Sequence, residues 1–265
     1  MTYTRPTDNI ADSVTPTLTV GTADANYPIA NLTDGIPSKP FKVTGTTLSV
    51  VWDFGSATNV DAVTIPMHNL DAALAGVRWQ GNAANAWGAP SIDQALTVPA
   101  DDADGLPGYV HLDLSAISPR AYRYWRLHIP TANSVAIALG ECFIWATLRT
   151  LTRSFGWGTS ESGQRIRVVQ KRLTHGRKLT YKLGTRLDTV RGMVPATAAN
   201  KTDLFELHRQ ASEPNACFLV SFLDVVRIMT WDQDDDIIEI VSRLIDEDDE
   251  AIELGFEEAP RGYLL

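Results

Sequence analysis

The residues that could carry chemistry in this 265-residue chain are a serine in a glycine-flanked loop, five histidines, two cysteines and two acidic runs. Spacing decides what each can do. GTSESG (Gly158–Gly163) approaches a serine nucleophile elbow, but Ser162 stands where G-x-S-x-G needs its last glycine. The following QRIRVV reads as a strand where that motif needs a helix, so the segment reads as a hairpin tip. The histidines, His68, His111, His128, His175 and His208, show neither H-x-x-x-H nor H-x-x-E-H spacing and read as surface or strand-face residues. DQDDD, from Asp232, would place Ile237 at the sixth position of a calcium-binding EF-hand loop, where glycine is required. DEDDE (Asp246–Glu250) lies between apolar runs and reads as a solvated hairpin turn. Cys142 and Cys217 sit in the apolar runs ECFIWA and ACFLVSF and read as buried thiols, with a bridge between them left open. Glycine-rich phosphate loops are absent, and no acid pair stands out as a glycosidase couple. The expectation is a protein without a catalytic centre.

The elements that must position any site are mostly strands. TLSVVWDF (Thr47–Phe54) is dense in β-branched and aromatic residues, and AVTIPM alternates Val63, Ile65 and Met67. YRYWRLHI sets Trp125, Leu127 and Ile129 on one face and Tyr124, Arg126 and His128 on the other. Period-two alternation with Asp-Gly and Pro-Gly punctuation predicts an antiparallel sandwich or barrel up to about residue 150. The Ala/Asn/Asp/Gly/Pro-rich stretch Gly81–Gly108 reads as one long loop, the kind of element that carries function on a rigid scaffold.

Beyond residue 150 the charge pattern changes. Arg153 to Arg191 holds ten basic and two acidic residues; Asp203 to Glu258 holds seventeen acidic and three basic ones. One helix is predicted in TDLFELHRQAS, with Thr202 or Asp203 as N-cap and Leu204, Leu207 and Ala211 on one face. Strands flank it on both sides. The fold class predicted is therefore mostly β: an N-terminal jelly-roll β-sandwich over residues 1–150, and a C-terminal small β-barrel or α+β domain with one helix over 151–265.

A net charge of −9 and a pI near 5.0 argue against a general nucleic-acid binder. The N-terminus shows no basic segment followed by an apolar core, which predicts synthesis in the cytoplasm without a signal peptide. No apolar stretch approaches the roughly 18 residues of a membrane span, so no membrane insertion is expected.

Four segments come in a recognisable order: ANLTDG (Ala30–Gly35), VVWDFGSATNVDAVTI (Val50–Ile65), YRYWRLHI (Tyr122–Ile129) and GECFIWA (Gly140–Ala146). Together they resemble the discoidin, or galactose-binding-like, jelly-roll family over about residues 20–150. The resemblance implies a structural calcium held by Asp34 and Glu141 with loop carbonyls. It also implies a carbohydrate site using aromatic residues of the end loops, for which Trp79 and Trp87 are the candidates. VDAVTIPMHNLDAA resembles versions of this fold in bacteriophage structural proteins. GMVPATAANKTDLFELHRQASEPNACFLVSF and DIIEIVSRLIDEDDEAIELGFEEAP resemble the split barrel of distal tail proteins, although that family places its barrel first.

The function these resemblances imply is a non-enzymatic virion component of a phage tail tip or baseplate, assembled in the host cytoplasm. It would form a ring, a trimer or hexamer, with itself and neighbouring tail proteins. The opposite charges of the two C-terminal segments suit a head-to-tail contact, the alternative being a pairing within one domain. The alternative is a carbohydrate-binding adhesion module that recognises host surface glycans.

Overall fold

The computed structural model describes residues 2–36, 39–101, 107–150, 161–165, 168–172, 178–182, 187–195, 198–211, 217–222, 225–231, 240–241 and 251–258. Up to residue 150 the strands are β1 (Thr2–Tyr3), β2 (Thr17–Val20), β3 (Phe41–Lys42), β4 (Leu48–Asn59), β5 (Ala62–Ile65) and β6 (Arg78–Asn82). They continue with β7 (Ile92–Ala95), β8 (Val110–Asp113), β9 (Ala121–Ile129), β10 (Ala138–Leu139), β11 (Phe143–Trp145) and β12 (Arg149–Thr150). The fold class is as expected: mostly β, with a jelly-roll β-sandwich leading.

One layer of the sandwich is a five-stranded antiparallel sheet in the order β2-β4-β9-β6-β7; facing it are the sheet β11-β5-β8 and the pair β10-β3. Alternation explains the core. Leu48, Val50 and Trp52 of β4, Trp79 of β6, and Trp125, Leu127 and Ile129 of β9 all point inward and are fully buried. They meet Val63 and Ile65 of β5, Val110 of β8 and Ile144 of β11 from the facing layer. Burial of side chains this large contributes about 1.5–3 kcal/mol each.

The stretch expected as one loop over 81–108 is interrupted by β7. Ile92, Leu96 and Val98 are buried, and their short apolar rhythm survives among small and polar residues that mask it in a composition count.

The C-terminal strands are β13 (Glu161–Arg165), β14 (Val168–Arg172), β15 (Lys178–Lys182) and β16 (Leu187–Pro195); helix α1 (Ala198–Ala211) follows. After it come β17 (Phe218–Phe222), β18 (Val225–Trp231), β19 (Ile240–Val241) and β20 (Ala251–Glu258). α1 begins a turn earlier than its predicted cap. Asp203 is therefore inside the helix, where it accepts a 2.5 Å hydrogen bond from Arg5 Nη2 and faces Tyr3 Oη at 3.4 Å. Tertiary pairing, not helix capping, uses this carboxylate. Among the described residues, no helix is long and apolar enough to cross a membrane.

β1 and β12 pair with each other, and β1 pairs with β17, in a sheet ordered β12-β1-β17-β18-β20-β16-β13, with β19 also on β20. The strands at both ends of the first 150 residues thus belong to the sheet of the second unit. Ala62, Phe143 and Trp145 turn away from the sandwich core and pack on Cys217, Leu219 and Ile228. β5 and β11 are buried on both faces: Val63, Ile65 and Ile144 enter the sandwich core, while Ala62, Phe143 and Trp145 enter the seam. Trp145 stacks on Phe143 with centroids 5.2 Å apart and donates its indole N–H to Thr64 Oγ1, which lies 2.9 Å from His111 Nδ1. Cys142 and Cys217 are both free and buried.

Candidate functional site

Because the inward residues of β4, β6 and β9 fill the core, their neighbours must line the outer face. Strand register arranges them in rows. One row runs Thr17, Val51, Arg126, Gln80 and Asp93; the next runs Val20, Ser49, His128, Arg78 and Ala95. Cross-strand neighbours in such rows touch. Arg126 Nε donates to Gln80 Oε1 at 2.8 Å, and its Nη2 makes a second, short bond to the same oxygen. Gln80 Nε2 donates to Asp93 Oδ1 at 2.9 Å, and Arg78 Nε donates to that oxygen at 2.5 Å. The Arg78 guanidinium beside it holds the Asp93 carboxyl below its usual range, with help from Gln80.

The β6–β7 connection closes over this row. Asn82 ties it down, donating from Nδ2 to the Ala86 carbonyl at 2.6 Å and accepting from Ser91 Oγ at 3.1 Å. Trp87 Nε1 donates to Asn85 Oδ1 at 2.8 Å. The Trp87 ring lies over Arg126, whose Cζ is 4.4 Å from the ring centroid, a cation–π contact. Trp87 itself stays partly exposed. Partial burial pulls the Arg126 pKa down, opposed by Asp93. Burial and the Arg126 cation likewise lower His128.

Trp79, the other aromatic residue expected to meet sugar, is in a different place. It is 0 % exposed and lies between Trp52 and Trp125, with centroids 5.6 Å and 5.9 Å away. Its position in register with Leu127, opposite the outward Gln80, turns it into the core. No sugar can stack on it. The sequence marks both tryptophans by proximity to one loop; only strand parity separates them. Arg126 lies within the YRYWRLHI segment and Gln80 holds it in turn, but that Arg126 sits under Trp87 is visible only through pairing register.

The second site is carboxylate-rich. The structure brings the Asp34 loop and Glu141 together: Gly35 N donates to Glu141 Oε2 at 3.1 Å. Glu141 is fully buried, and its Oε1 has no hydrogen-bond partner. Burial, reinforced by Asp12 and Asp34, pushes its pKa up to about 9. Asp12 lies close enough to Glu141 for their charges to act on each other, and burial likewise raises its pKa. Sequence reading missed Asp12, which lies far from both motifs in the chain. Asp34 is turned elsewhere: its Oδ2 takes a 2.6 Å ion pair from Lys39 Nζ and its Oδ1 the Ile36 N–H at 3.1 Å. Hard oxygen donors and an orphaned buried carboxylate oxygen suit calcium, while Lys39 already supplies a cation to Asp34. Among the described residues, no three His, Cys, Asp or Glu side chains are grouped as a metal site.

No protein-family model and no curated protein matches the chain. Solved structures similar to it include the lectin domain of lectinolysin complexed with Lewis B antigen. That match has 13% identity and TM-score 0.40, over 52% of this chain and 96% of the other. A fucose-binding module of Streptococcus pneumoniae matches at 13% identity and TM-score 0.39, over 52% and 98%. A chitosan-binding module from a Paenibacillus chitosanase/glucanase matches at 17% identity and TM-score 0.37, over 52% and 97%. Likenesses at this level assign no ligand to this chain.

Proposed function

We propose that this protein recognises glycans without transforming them, through the Trp87 loop on the outer face of the five-stranded sheet. The observation that carries the reading is the partly exposed Trp87 ring, held from beneath by Arg126 and along its edge by Asn85. A rigid indole presented beside polar side chains is how proteins offer an apolar face to a sugar ring together with hydrogen-bonding groups around it. The discoidin-like order of motifs supports the same reading. A glycan array probed with the wild type and with Trp87→Ala tests it: binding present in the first and lost in the second supports it, and an array blank for both defeats it.

A calcium ion belongs to this proposal as a structural element. Glu141 and Asp12 would hold it, with Asp34 joining once freed from Lys39. Bound there, it would supply charge compensation to the buried carboxylates.

A second reading, a virion component of a phage tail tip or baseplate, is favoured by the seam between the two units. A shared strand and the apolar contact of Phe143 and Trp145 with Leu219 and Ile228 fix the sandwich on its neighbour, as an adaptor requires. Light scattering behind a sizing column at low and high salt tests it. A trimer or hexamer that dissociates with salt supports a ring held by the chain's own basic and acidic segments, and a monomer at both salts removes self-assembly.

A further inference from the structure

The charges beneath Trp87 do not cancel. Arg78 and Asp93 neutralise each other at 2.5 Å, and Gln80 caps the same carboxylate oxygen. Arg126 is left with the amide oxygen of Gln80 and the Trp87 ring, neither of which carries a formal charge. Among the described residues no carboxylate bonds to it. The face thus carries a net positive charge on a chain whose total is −9. A half-buried cation under a low-dielectric ring is screened less by salt than one in open water, so its field reaches what lies on and around the indole.

We infer that the Trp87 platform selects carboxylate-bearing saccharides: the net positive charge of Arg126 beneath the ring favours an anionic sugar over a neutral one and disfavours a cationic amino sugar. This rests on the glycan-binding reading. The apolar face of the sugar meets the indole, and its carboxylate draws on the Arg126 charge through and around the ring edge. Arg126 acts in two ways, as the post that positions Trp87 and as the source of sign selection.

The experiment is a calorimetric titration with three oligosaccharides of equal length: a hexuronate, a neutral hexose and a hexosamine. The proteins are the wild type, Trp87→Ala, Arg126→Met and Asp93→Asn. The wild type is expected to bind the hexuronate about tenfold tighter than the neutral sugar, a gap of about 1.4 kcal/mol, and to lose part of that gap at high salt. Trp87→Ala should lose the hexuronate and the neutral hexose alike. Arg126→Met, which keeps the apolar stem, should lose the hexuronate preference. Asp93→Asn still accepts the hydrogen bonds of Gln80 and Arg78 but removes the opposing charge, so it should bind the hexuronate more tightly. Impaired folding cannot produce opposite effects in these two variants. Equal affinity for neutral and acidic sugars in the wild type, or no change of preference in Arg126→Met, overturns the charge inference while leaving glycan binding intact. Failure of all three sugars to bind overturns both.

Discussion

Trp79 and Trp125 lie nearly parallel, their ring planes 19° apart and their centroids separated by 5.9 Å. Gly81 makes this possible. It pairs with Trp125 in register, and a Cβ placed there would sit 2.8 Å from Trp125 Cζ3. The side chain missing at Gly81 leaves the space that the Trp125 ring fills.

Gly81→Ala should therefore destabilise the sandwich by about 1–3 kcal/mol, the usual cost of overpacking. Trp79→Ala should cost about 3–5 kcal/mol through the cavity it leaves. Urea denaturation followed by near-UV dichroism measures both. A Trp79→Ala protein as stable as the wild type would mean that this ring is not in the core.

Trp87→Ala should behave in the opposite way. The ring is partly exposed and its main partner is Arg126, so its removal should cost about 0.5–2 kcal/mol of stability, the range of a cation–π contact. The same urea curves provide the comparison. A loss as large as that of Trp79→Ala would place the Trp87 ring in the core and end its candidacy as a sugar platform.

Acid stability should depend on opposing groups. Burial lowers the pKa of His68 and His111 below the unfolded value of 6.5. The unfolded chain then binds more protons, so their contribution to stability is present above pH 6.5 and lost as pH falls. Glu141 acts in the reverse sense. Its pKa rises from 4.5 to about 9 on folding, so its contribution is full below pH 4.5 and lost as pH rises toward 9. In a chelator, Glu141→Gln should lose stability more steeply than the wild type between pH 7 and about pH 5.5. Equal slopes in the two proteins would show that folding does not keep a proton on Glu141 in this window.

Calcium should raise the melting temperature of the wild type at pH 8 and leave Glu141→Gln unmoved. Asp12→Asn is expected to blunt the response and Lys39→Ala to strengthen it, because Lys39 competes for Asp34. Differential scanning calorimetry with and without chelator reads this directly. An unchanged melting temperature in the wild type would remove calcium from the proposal.

The seam should be sensitive at Thr4, whose Oγ1 accepts the buried Leu219 N–H at 2.9 Å while its own N–H donates to the Leu219 carbonyl at 3.0 Å. Thr4→Val orphans the Leu219 amide and should cost about 1–3 kcal/mol. Arg5→Ala, which breaks an ion pair with the partly exposed Asp203, should cost no more than about 1 kcal/mol. Hydrogen exchange at Leu219 that is unaltered in Thr4→Val would contradict this account of the seam.

Alternation made the sandwich core legible: Trp125, Leu127 and Ile129 face inward, and Arg126 and His128 outward, as YRYWRLHI predicts. The same reading failed where an element answers to distant partners. Asp203 has the residue type of a helix cap, yet Arg5 and Tyr3 engage it from nearly 200 positions away. Asp12 joins Glu141 only once the chain has closed. Trp79 and Trp87 looked equivalent because the parity of β6 depends on which residues β9 sets opposite it, and one strand's composition cannot fix that.

The pairing of Thr2 with Thr150 and of Tyr3 with Arg149 has a consequence for how such a protein can be rebuilt. The chain leaves one sheet at residue 4 and re-enters it beside its point of departure at residue 148. Topologically, the whole sandwich is the tip of a β-hairpin. It can be exchanged for another module whose ends meet, or shortened to a tight turn, without breaking a rung of the sheet beneath. Two short strands join the sandwich to its mount, and any grafted module must also cover Leu219 and Ile228, which Phe143 and Trp145 bury.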